Sequence, residues 1–208
     1  MRKELTILVI GVTALTWFAV AYLNGLPTTW WSAAKPFLTA ITVAGVALWA
    51  YERHLWDWTL FRGWLTRRPC LKGVWQVEIH AVYMDASGNE ETKLVHGYAQ
   101  IDQTASTFCL RMFTQESRSV TVAHSFNIDQ NVFSLAIVYE NKPDISLRQK
   151  KSAFHQGSAV FIIRGHHPES FSGEYWTERK SVGSLILSNR KLGEISSFNE
   201  GGKIYHGN

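Results

Sequence analysis

The sequence predicts an all-β soluble domain, an antiparallel meander barrel of about eight strands, behind an N-terminal two-helix transmembrane hairpin. Three observations carry this expectation: long charge-free runs at the N-terminus, a change of composition near Pro69, and a series of short period-two runs after it. In order, the chain reads as a hairpin over 1–52, an aromatic and basic juxtamembrane connector over 53–69, a ligand-binding barrel over 70–192, and a flexible tail over 193–208.

Leu5 to Leu23 carries no charge and, as a helix at ~1.5 Å per residue, reaches roughly 28 Å. A bilayer core is about 30 Å thick, so this run can span it. Pro36 to Tyr51 is a second charge-free run, lengthened at its start by Ala33, Ala34 and the apolar stem of Lys35. NGLPTTWWSA between them holds a turn signal and a Trp pair suited to an interface. A secretory signal is the competing reading of the first run, which has Arg2 and Lys3 ahead of it and Ala19-Val20-Ala21 near its end. Its apolar part exceeds the ~7–15 residues of such signals, and a second span follows at once.

Positive charge sets the orientation. Arg2 and Lys3 precede the first span, Arg53, Arg62, Arg67 and Arg68 follow the second, and the connection holds only Lys35. The positive-inside rule then puts both termini on the cytoplasmic side of the membrane. Cys70 and Cys109, without metal-ligand neighbours in sequence, agree with a reducing compartment. Those seven basic residues face Glu4, Glu52 and Asp57, an excess of four that equals the whole chain's +4. The barrel is therefore balanced, and the basic character belongs beside anionic lipid rather than to a DNA or RNA surface.

YERHLWDWTLFRGWL (Tyr51 to Leu65) places Trp56, Trp58, Phe61 and Trp64 among charges, which predicts a helix along the membrane surface or one covering the next domain. Strand periodicity then begins. LKGVWQVEIHAVYM alternates Leu71, Gly73, Trp75, Val77, Ile79, Ala81 and Tyr83 on one face, and DASGN makes a turn. Further runs cover Thr92–Gln103, Thr107–Thr114, Arg118–Phe126, Val132–Glu140, Ala153–Arg164, Phe171–Glu178 and Val182–Ser188, with a long polar loop at NKPDISLRQKK. Neighbouring strands in this number favour a barrel over a sandwich, with an interior that side chains nearly fill or that holds one small ligand.

Three runs combine an apolar half with a polar end on one face. Phe133, Leu135, Ile137, Tyr139, Asn141 ends polar; His155, Gly157, Ala159, Phe161, Ile163 begins polar; Tyr175, Thr177, Arg179 is polar throughout. Antiparallel neighbours place the end of one strand beside the start of the next, so Tyr139 and Asn141 should lie near His155. Buried polar groups without partners cost about 1–3 kcal/mol each. Either these groups satisfy one another or they await a ligand, and Arg, Asn, His and aromatic rings together suit an anion with flat rings. Trp75, on the inward face of the first run, is counted with them as an aromatic face. Gly157 lets a ligand approach the backbone or marks a bulge.

The order of a short hairpin, an aromatic connector, LKGVW, YENKP, FHQGSA and GEYWTERKSVGSLIL resembles the two-transmembrane, β-strand-rich effectors associated with bacterial CD-NTases in cyclic-oligonucleotide antiphage signalling (CBASS). The resemblance covers nearly the whole chain. It implies a barrel that binds a cyclic di- or oligonucleotide made by a partner CD-NTase, self-associates as a homo-oligomer, and lets its clustered spans breach the inner membrane in abortive infection. It implies no other cofactor. Catalysis is not expected: GxxxxGK[ST], GxSxG and HExxH are all missing, GGK at Gly201 to Lys203 lacks the rest of a phosphate loop, and His166 and His167 read as a solvated pair. Glu174 and Glu178 read as solubilising charges. The other class in play is a membrane-tethered, lipocalin-like barrel holding a fatty acid or other apolar carboxylate in a dry tunnel with one charge clamp.

Overall fold

All eight expected strands form, and each pairs antiparallel with its neighbour in sequence until the last returns to the first. A computed structural model describes residues 3–25, 29–84, 89–129, 132–143 and 155–207. The turn expected at DASGN (Asp85–Gly88) and most of the NKPDISLRQKK loop (from Asp144) lie outside the described residues. The chain divides into two compact units, residues 1–67 with 104–106, and residues 68–103 with 107–208.

In the first unit α1 (Lys3–Leu23) and α2 (Trp30–Ala50) lie against one another. Ala21, Ala40 and Ala44 are among the most covered positions there, as expected where small side chains let helix backbones approach. Among the described residues one helix, Leu5–Leu23, is long and apolar enough to cross a membrane. The expected pair of spans is thus matched by two helices but by a single span of sufficient length and hydropathy.

The connector is not the continuous amphipathic helix its aromatic spacing predicts. A single π-helical turn (Tyr51–Leu55) and a 3-10 turn (Thr59–Phe61) replace it. Extended backbone at Trp58 and Arg62 bounds the 3-10 turn, and Gly63 at φ +85° turns the chain where an L side chain is disfavoured. Tyr51 and Trp56 are buried, with the Tyr51 hydroxyl 2.9 Å from that of Thr66, while Trp58 and Trp64 stay exposed. Glu52 gathers the 104–106 segment: one carboxylate oxygen accepts from Thr104 Oγ1 (2.5 Å) and from both N–H and Oγ of Ser106 (3.0 and 2.6 Å).

The second unit is the barrel: β1 (Gly73–Met84), β2 (Glu90–Gln103), β3 (Phe108–Thr114), β4 (Ser117–Asp129), β5 (Val132–Pro143), β6 (His155–Arg164), β7 (Phe171–Thr177) and β8 (Val182–Lys191). Alternation drives the inward residues into one core that includes Trp75, Val77, Leu135, Ile137, Phe161, Ile163, Leu185 and Leu187. One end is closed. Trp75 is fully buried there, donates Nε1–H to the Leu71 carbonyl (2.8 Å) and meets Phe171 edge-on. Gln103 bridges the Leu71 N–H and the Pro69 carbonyl, both at 2.8 Å, which satisfies the backbone entering that end. His166 packs edge-on against Phe133 and so departs from the solvated pair expected with His167.

Where a flexible tail is expected, α3 (Phe198–His206) forms and packs on the outside of the barrel. Ser197 caps its N-terminus by accepting from the Glu200 N–H, and Glu200 accepts in return from the Ser196 N–H (2.7 Å), a reciprocal capping pair. The Tyr205 ring stacks on Tyr98, and its hydroxyl points between the Val74 carbonyl (2.8 Å) and the Asn189 carbonyl (2.6 Å). Burial pushes that hydroxyl up to about 12, with neighbouring Tyr98 adding to the shift. Glycine is required in this helix: a Cβ on Gly201 would sit 2.3 Å from Tyr98 Cγ.

Candidate ligand-binding site

Register alone assembles the polar end of the barrel. β5 and β6 pair Tyr139 with Gly157 and Asn141 with His155; β6 and β7 pair Gly157 with Thr177 and Ala159 with Tyr175. Five of the seven expected site residues, Tyr139, Asn141, His155, Tyr175 and Thr177, therefore line one pocket. The other two do not join them. Trp75 points inward but belongs to the closed end. Arg179 is not on the inward face of β7, because that strand ends at Thr177.

A tight turn stops β7. Thr177 and Ser181 exchange backbone and hydroxyl contacts (Thr177 N–H to Ser181 O, 3.0 Å; hydroxyls 2.7 Å apart), and the Lys180 N–H returns to the Thr177 carbonyl. Arg179 is exposed in this turn and lines the outer mouth instead. Lys180 holds φ +61°, a left-handed conformation that costs a non-glycine residue roughly 1–2 kcal/mol. A glycine would make this turn without strain; the chain keeps a cation there. Glu178, expected to be a solvated charge, accepts from the Gln156 N–H (2.8 Å) and ties the turn to β6.

The mouth opens as a cleft of about 640 Å³, bordered by Ala81, Tyr83, Met84, Lys93, Glu116, Arg179 and Lys180. This is within the ~300–1,000 Å³ usual for ligand sites. Asn141, His155, Tyr175, Ser117 and Ser181 are shared with an inner pocket of about 140 Å³, which Ser119, Met112 and Tyr139 floor. Below Tyr139 the space shrinks to about 20 Å³ between Ile137, Phe161, Leu185 and Leu187. The site is a funnel, wide and polar above, closed and apolar below.

Within it, Ser119 Oγ donates to Asn141 Oδ1 (3.1 Å), which turns the Asn141 amide N–H toward His155 Nε2 (3.3 Å). Nε2 accepts when the ring proton sits on Nδ1. The Tyr139 hydroxyl is pushed far up by burial and by adjacent Tyr175, and burial also raises Tyr175, so both stay neutral donors. Neither hydroxyl has a hydrogen-bond partner among the described residues. Among the described residues of the mouth three cations, Lys93, Arg179 and Lys180, stand with one carboxylate, Glu116, which lies 3.6 Å from Lys93. The arrangement offers donors, positive charge and aromatic faces, which suits a ligand with phosphate and flat rings.

The space over Gly157 is not a ligand approach and there is no bulge at this pair: the Tyr139 ring fills it. The residues that sequence reasoning passed over come from β3 and β4 (Met112, Ser117, Ser119) and from the rim (Lys93, Glu116, Lys180, Ser181). Ser119 and Thr121 alternate inward along RSVTV, so the polarity of that strand end was present in the pattern.

A closed antiparallel barrel with a polar funnel at one end has the form of a ligand-binding barrel, a receptor-type module. The chain belongs to the family described as Cap15, cyclic dinucleotide receptor domain, whose family model matches residues 66–189. The match takes in every strand except the end of β8 and begins after the N-terminal helices. The chain is also similar to CD-NTase-associated protein 15 of Staphylococcus schleiferi, at 22% identity over 151 residues that cover 73% of this chain and 77% of that protein.

Proposed function

We propose that this chain is a membrane-anchored effector of CBASS antiphage defence whose barrel mouth binds a cyclic dinucleotide made by a partner CD-NTase. The observation that carries this reading is the pair of hydroxyls, Tyr139 and Tyr175, that have no hydrogen-bond partner among the described residues, beneath a rim of Lys93, Arg179 and Lys180. The two phosphates pair with the rim cations, and the bases lie against Tyr139, Tyr175 and the Asn141 amide. Family membership and the similarity to a CD-NTase-associated protein support the ligand class. In this reading α1 and α2 both enter the inner membrane with cytoplasmic termini, ligand drives self-association, and the gathered spans breach the bilayer. The exposed apolar side chains of α1 and α2, such as Ile7, Leu15, Phe18, Leu38 and Trp49, are what lipid-facing helices present.

A fatty-acid carrier fits less well. An acyl chain needs a dry tunnel, and the apolar space under Tyr139 is only about 20 Å³ because Phe161, Leu185 and Leu187 fill the interior.

The test is calorimetric titration of the full-length protein in detergent with cyclic di-AMP, cyclic di-GMP, mixed cyclic dinucleotides, their linear counterparts and oleate. One cyclic dinucleotide is expected to bind far more tightly than its linear form, with affinity that falls as salt rises. Oleate binding without any cyclic dinucleotide binding would overturn the reading. Dye release from vesicles carrying the full chain, with and without the ligand that binds, reports the membrane step.

A further inference from the structure

The funnel narrows in a way that sorts the parts of a cyclic dinucleotide. Its inner pocket, about 140 Å³, is less than half the ~300 Å³ at which whole-ligand sites begin. One part of the ligand can enter it, while the rest stays in the mouth of about 640 Å³. Charge decides which part. Lys93, Arg179 and Lys180 border the mouth, and among the described residues none that lines the inner pocket is Lys, Arg, Asp or Glu. A phosphate carried below the rim would lose its water and meet no fixed cation, the costly way to bury a charge. A base is neutral and flat, so it is the part that descends.

The walls suit a base. Tyr139 and Tyr175 lie along the sheet, over Gly157 and Gly183, and so turn ring faces inward; Met112 and Leu185 add apolar contact. At the polar side stands Asn141. Its Oδ1 accepts from Ser119 Oγ (3.1 Å) and its amide N–H points to His155 Nε2 (3.3 Å), which fixes the way the amide faces. A side-chain amide has two N–H donors and two carbonyl lone pairs, so Asn141 keeps one of each for a ligand.

A donor beside an acceptor matches adenine, whose N6–H lies next to the N7 acceptor; Asn reads adenine in this way. Guanine fits neither edge to this pocket. Its O6 and N7 call for Arg or Lys. Its two neighbouring N–H groups call for a carboxylate, and Glu116 is at the mouth, 3.6 Å from Lys93. Uracil shares the donor–acceptor edge but has one ring, not two, to lay on the tyrosines.

We propose that the inner pocket takes one adenine of the cyclic dinucleotide, read at its edge by Asn141, with Ser119 as a positioning residue. The second base stays in the open mouth beside Tyr83 and Met84, where water competes for its edge and selection is loose. The inference rests on the ligand-binding reading above and names the base that the site selects.

Calorimetric titration of the full-length protein in detergent, with cyclic di-AMP, cyclic GMP–AMP, cyclic di-GMP and cyclic di-UMP, tests it. Cyclic di-AMP and cyclic GMP–AMP should bind comparably. Cyclic di-GMP should bind ~5- to 150-fold more weakly, the range that one two-point contact to a base edge provides. Asn141→Asp, which offers two acceptors, and Ser119→Ala, which frees the amide to turn over, should both narrow that ratio. The ratio is the readout because a merely structural change weakens every ligand together. Cyclic di-GMP or cyclic di-UMP binding as tightly as cyclic di-AMP to the parent chain would overturn the adenine pocket and leave the ligand reading intact. Cyclic GMP–AMP binding as weakly as cyclic di-GMP would show that both bases are read and overturn the single insertion. An unchanged ratio in both variants would overturn the role of Asn141. Failure of the parent chain to bind any cyclic dinucleotide would instead overturn the reading beneath.

Discussion

The ring of Tyr139 occupies the space that a side chain on Gly157, its partner across the β5–β6 register, would need: a Cβ there would lie 2.5 Å from the Tyr139 hydroxyl oxygen and 2.9 Å from the Trp176 carbonyl. The arrangement repeats around the wall. Phe161 lies over Gly173 on β7, and Tyr175 over Gly183 on β8, each again a register pair. A glycine opposite an aromatic lets the ring lie along the sheet rather than across the barrel, and the ring covers backbone that the glycine leaves bare. Two of the three rings are the tyrosines of the site, so the glycines hold their hydroxyls in the funnel.

Gly157→Ala is therefore expected to move Tyr139. Overpacking of this kind costs about 1–3 kcal/mol, and cyclic dinucleotide binding should weaken with it. The check is a double-mutant cycle on melting temperature with Tyr139→Ala. The alanine at 157 should cost clearly less once the ring is gone; equal costs in both backgrounds would mean the backbone carbonyl of Trp176, not the ring, sets the limit.

Arg179→Ala and Tyr175→Phe should weaken ligand binding and leave the melting temperature nearly unchanged. Arg179 is exposed in the β7–β8 turn, so the empty fold does not depend on burying its charge. A lost contact from a cation to phosphate is worth about 1.5–3 kcal/mol, roughly 10- to 150-fold in Kd. Trp75→Ala should do the reverse, at about 3–5 kcal/mol of stability for a buried aromatic. Calorimetric titration and thermal melting of the same three proteins separate the two behaviours.

The strands were legible because burial has period two in each of them. β5 alternates Phe133, Leu135, Ile137 and Tyr139 inward, and its polar end at Asn141 meets His155 as the antiparallel rule requires. Periodicity assigns a face, however, and not a height along the barrel or a point where the strand stops. Trp75 was assigned the right face and stands at the wrong end; Arg179 follows the period of β7 but comes after the turn that ends it. β3 and β4 pair at three positions only, and the parting follows one extra residue, Val122, which disturbs the pattern too little to be seen. α3 did carry a signal, Ser197 and Glu200 at capping spacing with Gly207 at its C-terminus, but two adjacent glycines, Gly201 and Gly202, lower the helix propensity of the segment. Gly201 is there because the helix lies directly on Tyr98.

That packing makes α3 a structural part of the barrel. Truncation after Glu194 removes the Tyr205 hydroxyl from the Val74 and Asn189 carbonyls and uncovers Tyr98 and Phe113. A lower melting temperature is expected, and Gly201→Ala should reproduce much of it, since its Cβ would collide with the Tyr98 ring. Unchanged melting in both would show that the helix only decorates the surface.

Acidification should loosen the packing between β3 and β4. His124 lies beside Phe108 (5.7 Å between ring centroids) and Phe126 (6.1 Å), and burial first, then the nearby Arg68 charge, lowers its pKa below the usual 6.5. For a base with a depressed folded pKa, the folded state binds fewer protons than the unfolded one as pH falls past 6.5. The stability His124 contributes is thus complete above about pH 6.5 and is lost as pH drops through its folded value. Replacing it with a side chain that does not titrate removes this dependence. Melting temperatures of the parent chain and of His124→Gln, measured between pH 7.5 and 5, should converge on the acid side, with the parent falling faster. Parallel curves would assign the acid sensitivity to other groups and leave the Phe108–Phe126 contact indifferent to the charge beside it.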